Sequence, residues 1–453
     1  MNEKNESFNI KTGRTFFTGE KIAAARKNIE KYDWAKHIRN TAVEAAERYL
    51  SYGSDFLWDS VTSQKLPRSL GVNQIKGCLI CGNRIDKYGN YPWLGDPFNS
   101  RWKLTCPSCG SVFPANDFGA YYKSGLDEHG FFDLVRADKS LLKNELYPDR
   151  DAGWGVDDGY GWVDPGNKNP ETRRYTFIAY YNHWYLWYDG VNSSIRAPLK
   201  AFRDAYIYTG NPRYAQAGTI LLDRIADVYP EMDSSIFKWE DGFRNSHGGS
   251  GQGKILGCIW ETGLVNDFTT AYDAFFPGMD QPEIIGFLNK KAERFCGLDR
   301  KESVYDIRKN IEEGILREVY PAVRTFQIRG NIGMHQSSLA LAAVVLDDPV
   351  VSGQWIEYIF KTQEVNPWGT GNLLKTLVND IDRDGHGDEA SPSYNSLWLD
   401  SLRLVTDALN GYICNSTLDL YKHVKFRKMF HMQYPLILLD QYTPSIGDTK
   451  KAG

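Results

Sequence analysis

Apolar positions recur at helical spacing along two stretches of the chain. In residues 19–50, Ile22, Ala25, Ile29, Trp34, Ile38, Ala42, Ala45, Ala46 and Leu50 follow roughly the period of one helix face. Residues 60–118 lose that periodicity and carry Gly, Pro, Asn and four cysteines. Residues 119–170 read as loops, closing in GWGVDDGYGWVDPGNKNP. Helical patterns return at about 172 and continue to about 435. There, LKAFRDAYIYTGNPRYAQAGTILLDRIADVYP (199–230) predicts two helices broken at Gly210-Asn211-Pro212. Gly suits the position after a helix, and Pro can open the next. No alternating strand of convincing length interrupts this region. The recurrence of helix, Gly/Pro break, helix predicts stacked antiparallel hairpins in a mainly α fold, a ring around a central cleft. The chain divides into an N-terminal helical segment (1–60), a cysteine lobe (61–118), a helical domain (119–440) and a closing linker (441–453).

Cys78 and Cys81 form C-x2-C, and Cys106 and Cys109 form a second pair in TCPSCG. Four thiolates so spaced fit a tetrahedral zinc held by two tight knuckles. The ligand set is full, so this zinc is structural and leaves no position for a reactive water. Cys258, Cys296 and Cys414 lie in helical segments and read as small buried residues.

Composition narrows the classes. With 453 residues and 42% hydrophobic content the chain can bury a large core. The 53 basic and 57 acidic residues give a net charge of −4, which provides no general field for nucleic acid. No apolar run approaches the ~20 residues of a membrane span. The first residues, MNEKNESFNIKTGR, lack the apolar centre of an export signal. Aromatic content is 14%, concentrated in RRYTFIAYYNHWYLWYDG (173–190). Such rings serve as core or as platforms that stack on sugars; the candidates are Tyr181, Trp184, Tyr185 and Trp187.

Two stretches nearly match known loops. GGSGQGKI (248–255) has the G-x4-G-K skeleton of a phosphate loop, but Ile255 replaces the magnesium-binding Ser or Thr. DIDRDGHGDEAS (380–391) begins like a calcium loop, with Asp380, Asp382, Asp384 and Gly385 in place, but Ser391 stands where a bidentate Glu belongs. Calcium is therefore a secondary candidate beside zinc.

The chemistry-bearing constellation is RGNIGMHQSSLALAAVVLDDP (329–349), read as a helix. Asn331 and His335 are four apart, hence on one face, which Ser338 and Ala342 continue. Gln327 and Arg329 stand nearby. In DGHGDEASPSYNSLWLDSLRL (384–404) a helix is expected from about Tyr394. His and Tyr suit β-elimination from a uronic acid. The C5 carboxylate must be neutralised, a base must take the C5 proton, and an acid must protonate O4. Arg244, Asn245 and His247 in FRNSHGG are further substrate-binding candidates.

GNIGMHQSSLALAAVVLDDP, DGHGDEASPSYNS, AYIYTGNPRYAQAGTILLDRIADVYP and GCIWETGLVNDFTTAYDAF together resemble the heparinase II/III-like polysaccharide lyases over roughly residues 20–450. The heparin-lyase and oligoalginate-lyase subset looks closest. The resemblance implies an incomplete (α/α) toroid over 119–440, followed by β-sheet domains that this stretch does not include. It implies metal-independent elimination of an acidic polysaccharide or oligosaccharide, of heparin or heparan sulfate type or else alginate. It also implies placement in the periplasm or outside the cell. Carried over by position, Asn331 and His335 match the carboxylate-neutralising and base region, and Tyr394 matches the catalytic Tyr of S-P-x-Y. Two other readings stay open. One is a glycoside hydrolase using Glu261 with Asp388 or Glu389; the other is a non-catalytic carbohydrate-binding module.

Overall fold

The computed structural model describes residues 11–73, 75–237, 252–361, 370–412, 419–447 and 449. The protein is mainly helical. The N-terminal helical run is two helices, α1 (Gly19–Lys31) and α2 (Asp33–Leu50), because Tyr32 takes an extended conformation between them. After α3 (Gly53–Ser60) the cysteine lobe holds a small antiparallel sheet ordered β1 (Leu94–Asp96), β2 (Ser100–Thr105), β3 (Val112–Phe113). Leu94 pairs with Thr105, and Leu104 with Phe113. A short helix α4 (Phe118–Ser124) and a two-stranded ribbon, β4 (Trp162–Val163) with β5 (Arg174–Tyr175), lead into α5 (Phe177–Tyr181). A π-helical stretch, Asn182–Tyr188, continues α5.

The predicted hairpin at 199–230 is α6 (Arg196–Thr209) and α7 (Pro212–Val228). Gly210 takes φ +73°, the Asn211 side chain accepts from the Arg213 N–H, and Pro212 opens α7. The break is thus made by the residues that signalled it. The remaining helices are α8 (Glu261–Phe275), α9 (Pro282–Arg294), α10 (Val304–Ile311), α11 (Arg317–Arg324), α12 (Met334–Leu346), α13 (Val351–Lys361), α14 (Leu373–Asn379), α15 (Pro392–Leu409) and α16 (Val424–Met429). They pack in a consistent order: α2 against α6, α6 against α8, α8 against α12, and α12 against α15. Helices α1, α7, α11 and α13 back this row. Every residue of α12 is buried, as expected of a helix that is apolar almost all round. Its Ser337 and Ser338 hydroxyls are satisfied by the Met334 carbonyl. Among the described residues no helix is long and apolar enough to cross a membrane.

One core cluster runs from Ile22 to Met432 and includes Trp93, Trp102 and Phe113 of the cysteine lobe. The lobe is joined to the helices by rings: Phe113 stacks on Phe177 at 4.7 Å, and Trp102 lies 5.4 Å from Tyr181. The aromatic run at 173–190 is this seam.

Candidate functional site

Two short turns bring the four cysteines together. At the first, the Gly82 N–H donates to the Cys78 carbonyl at 2.8 Å; at the second, the Gly110 N–H donates to the Cys106 carbonyl at 2.9 Å. Gly82 and Gly110 have φ of +58° and +75°, values that side chains resist. The sulfurs of Cys78 and Cys109 are 3.8 Å apart, those of Cys81 and Cys106 3.6 Å, and all four lie within 4.8 Å of one another. Ligands about 2.3 Å from a tetrahedral zinc would sit about 3.8 Å from each other, whereas a disulfide needs about 2.05 Å. The cluster is therefore compatible with a structural zinc. Burial pushes the Cys81 and Cys106 thiols up. Cys109, despite some burial, is brought down to about 7 by hydrogen bonds led by Ser111. A cation is what would allow all four to ionise together.

Helix α12 begins at Met334, five residues inside the predicted start. Gly333, at φ +88°, donates its N–H to Gln336 Oε1 at 2.8 Å. A Cβ there would lie 2.7 Å from Ser401 Cβ and 2.8 Å from the Leu402 nitrogen. The chain leaves helical geometry to pass this close to α15. Asn331 consequently sits in the turn before the helix, its carbonyl accepting from the Met334 N–H at 2.9 Å. It shares no helix face with His335, contrary to the spacing argument.

His335 lies in the first turn of α12 and is 5% exposed. Its Nδ1 is 3.1 Å from the Gly330 carbonyl. A carbonyl can only accept, so this contact assigns the proton to Nδ1 and leaves Nε2 as an acceptor. Burial lowers the imidazole pKa to about 4, so it is neutral near pH 7. Nε2 of His335, Nδ2 of Asn331 and Nε of Arg329 are all buried without a partner. Arg329 is half-buried over the Phe326 ring at 5.1 Å, and Gln327, two residues earlier in the chain, is half-buried. Three unmet polar atoms within seven residues is far above what a satisfied core leaves.

Tyr394 is half-buried in the first turn of α15, which starts at Pro392, two residues before the expected position. Asn395 fixes the preceding loop, accepting from the Gly387 N–H at 2.6 Å and donating to the Glu389 carbonyl at 2.7 Å. Gly333 meets α15 at Ser401 and Leu402, two turns beyond Tyr394. That is about 10 Å along the helix.

The four aromatic candidates do not form an open platform. Tyr181 and Trp187 are completely buried, and Trp187 donates to Thr62 Oγ1 at 2.9 Å. They are core, because the run closes the seam with the cysteine lobe. Tyr185 and Trp184 are half-buried, tied to the Trp93 and Leu70 carbonyls at 2.6 and 3.0 Å. Trp184 also contacts Tyr91 at 4.8 Å and Tyr188 at 4.7 Å, and Tyr188 lies 6.4 Å from the exposed Trp260. Tyr188 belongs to the aromatic run at 173–190, but Tyr91 and Trp260 were not signalled by the sequence, since they come from two other segments.

Arg244, Asn245 and His247 lie outside the described residues. The calcium-like stretch is a tight hairpin instead: the Asp382 N–H donates to the His386 carbonyl at 2.7 Å, and the Asp388 N–H to the Asp380 carbonyl at 2.9 Å. Its carboxylates do not gather, and the four cysteines are the only such group among the described residues. Lys254 of the phosphate-loop look-alike is buried against the Pro230 carbonyl and Glu318 at 3.0 and 2.8 Å. Glu261 is fully buried and accepts the N–H groups of Ile255, Leu256 and Gly257 at 2.8, 2.7 and 3.1 Å. Its carboxylate fastens a loop and is not free for hydrolysis.

No protein-family model matches the chain, and no curated protein does. The case for function therefore rests on the residues themselves. A cavity of about 670 Å³ elsewhere is lined by Asp223, Asp227, Glu313 and Lys301 and includes none of the predicted catalytic side chains. Its buried Asp223 is already engaged by Asn310 at 2.9 Å and by Lys301 at 3.5 Å.

Proposed function

We propose that the protein is a polysaccharide lyase that cleaves a uronic-acid-containing polysaccharide by β-elimination, on a heparinase II/III-like incomplete (α/α) toroid. The observation that carries this reading is the start of α12. There a neutral, buried His335 keeps an unmet Nε2 four residues after Asn331, whose amide is also unmet, and the helix packs against the one that presents Tyr394. The row of packed helices, with α2, α6, α8 and α12 backed by α1, α7, α11 and α13, is what a toroid of hairpins would need.

In this reading Asn331 donates to the C5 carboxylate of the uronate, an interaction that strengthens as charge develops there. Neutral His335 takes the C5 proton on Nε2; its Nδ1–H stays fixed on Gly330, which holds the ring for the transfer. The C5–H electron pair becomes the C4–C5 double bond as the C4–O4 bond breaks. Tyr394 gives its hydroxyl proton to O4 and is reprotonated from solvent. Arg329 stabilises the anion of the substrate, and Tyr91, Trp184, Tyr188 and Trp260 offer ring surface for neighbouring sugars. The four cysteines hold a structural zinc that takes no part in the chemistry. Heparin or heparan sulfate is the favoured substrate class, with alginate next.

The test is a panel of heparin, heparan sulfate, hyaluronan, chondroitin and alginate, read by the ultraviolet absorbance of an unsaturated uronate. Elimination produces that chromophore. New reducing ends without it mean hydrolysis and overturn the reading.

A further inference from the structure

The seam between the cysteine lobe and the helices encloses a cavity of about 260 Å³ that the elimination reading does not use. We propose that it is a binding site for a small compound carrying a carboxylate on a six-membered ring.

Its charge is the first argument. Strand β2 contributes Arg101, α4 contributes Lys123, α7 contributes Arg224 and α9 contributes Arg294. The one acid in the lining is Asp59, and its carboxylate already takes the Lys291 ammonium at 3.0 Å. In a chain of net charge −4 this is a local reversal, and it selects an anion.

The second argument is unmet donors. Arg224 is 1% exposed and lies over the Trp58 ring at 4.0 Å. Its terminal nitrogens donate to the carbonyls of His129 and Gly130 at 3.2 and 2.9 Å, and Nη1 also pairs with the Asp227 carboxylate at 3.3 Å, while its Nε is buried without a partner. Arg101 repeats the pattern: Nη2 donates to the Asp59 carbonyl and Nε is buried without a partner. A buried guanidinium N–H left unmet is costly, and a carboxylate is the group whose geometry matches it.

The walls supply the rest of the ligand. Trp58 and Phe295 are stacked at 5.6 Å, and Trp102 and Tyr122 lie 5.0 Å apart. All four line the cavity. These faces suit a flat or cyclic body. The volume is just below the ~300 Å³ at which drug-sized sites begin, so a single ring fits. Lys123 and Arg294 are exposed and sit at the rim, where they would draw the anion in. The ring could be a uronate sugar or an aromatic acid; the chemistry recognised is the same.

Calorimetric titration of the zinc-loaded protein separates these sources, using sodium glucuronate, sodium benzoate and, as the neutral control, glucose. Saturable binding of either carboxylate, with glucose silent, is expected; glucuronate alone marks a sugar ligand and benzoate alone an aromatic one. Arg101→Gln should weaken binding on the order of tenfold or more, and Arg294→Ala several-fold. Tyr394→Phe should leave it unchanged, which separates this cavity from the proposed active site. If Arg101→Gln fails to fold, the exposed Arg294→Ala decides. No saturable binding of either acid at millimolar concentration overturns the proposal. So does unchanged affinity in folded Arg101→Gln, or in Arg294→Ala where Arg101→Gln does not fold.

Discussion

The close passage of Gly333 past α15 positions His335 and Asn331, and it can be tested by adding one methyl group. Alanine at 333 must hold φ +88°, a left-handed conformation that costs about 1–2 kcal/mol for a residue with a Cβ. The new methyl would also stand 2.7 Å from Ser401 Cβ and 2.8 Å from the Leu402 nitrogen, the latter being backbone that cannot swing aside. Overpacking of this kind costs about 1–3 kcal/mol. Gly333→Ala should therefore destabilise the protein by about 2–5 kcal/mol. Gly353 is the control. It lies inside α13, is exposed, and has nothing within 4 Å of where its Cβ would be. Gly353→Ala should gain about 0.5–1 kcal/mol, because alanine loses less chain entropy on entering a helix. Paired urea titrations in zinc-containing buffer, followed by far-ultraviolet circular dichroism, should move the two midpoints in opposite directions. A Gly333→Ala midpoint at or above that of the wild type would refute the close approach, and with it the argument for where Asn331 sits.

Three further expectations follow from the same side chains. Metal analysis should find one zinc per chain; Cys106→Ser should abolish it and lower the melting temperature, whereas Cys296→Ser, at an exposed cysteine outside the cluster, should do neither. His335 is held near pKa 4 when folded against about 6.5 unfolded, so the unfolded chain binds more protons between these values. Stability should fall as pH drops from ~6.5 towards ~4, by about 3 kcal/mol in full, and His335→Gln should flatten that slope when melting is followed against pH. Glu261→Gln should destabilise the protein by about 2 kcal/mol or more, since three N–H groups lose a charged acceptor. Loss of activity with the melting temperature unchanged would instead return Glu261 to a catalytic role.

The features legible in the sequence were those set by local rules. Gly210-Asn211-Pro212 breaks α6 from α7 because cap and turn chemistry acts within a few residues. The two C-x2-C pairs predicted the cysteine cluster because each knuckle is a four-residue unit, although their meeting needed the fold. Pattern failed where distant segments decide the outcome. The apolar period around Asn331 suggested a helix, but contact between Gly333 and Ser401 ends it. Trp187 read as core more readily than as a platform, and only the seam with the cysteine lobe, through Thr62, settled it. Arg101 and Arg224 gave no signal, since a cavity built from β2 and α7 has no trace in either segment alone.

The central claim is that His335 and Tyr394 serve one elimination. Its most direct measurement is the rate of unsaturated-uronate formation on the panel of heparin, heparan sulfate, hyaluronan, chondroitin and alginate, for the wild type and for Tyr394→Phe. The variant loses a single hydroxyl from a half-buried ring, so its circular dichroism, zinc content and substrate affinity should match the wild type. Its kcat should fall ~10²–10⁴-fold, as expected on removing a general acid. A Tyr394→Phe protein that forms the unsaturated product at the wild-type rate would contradict the claim.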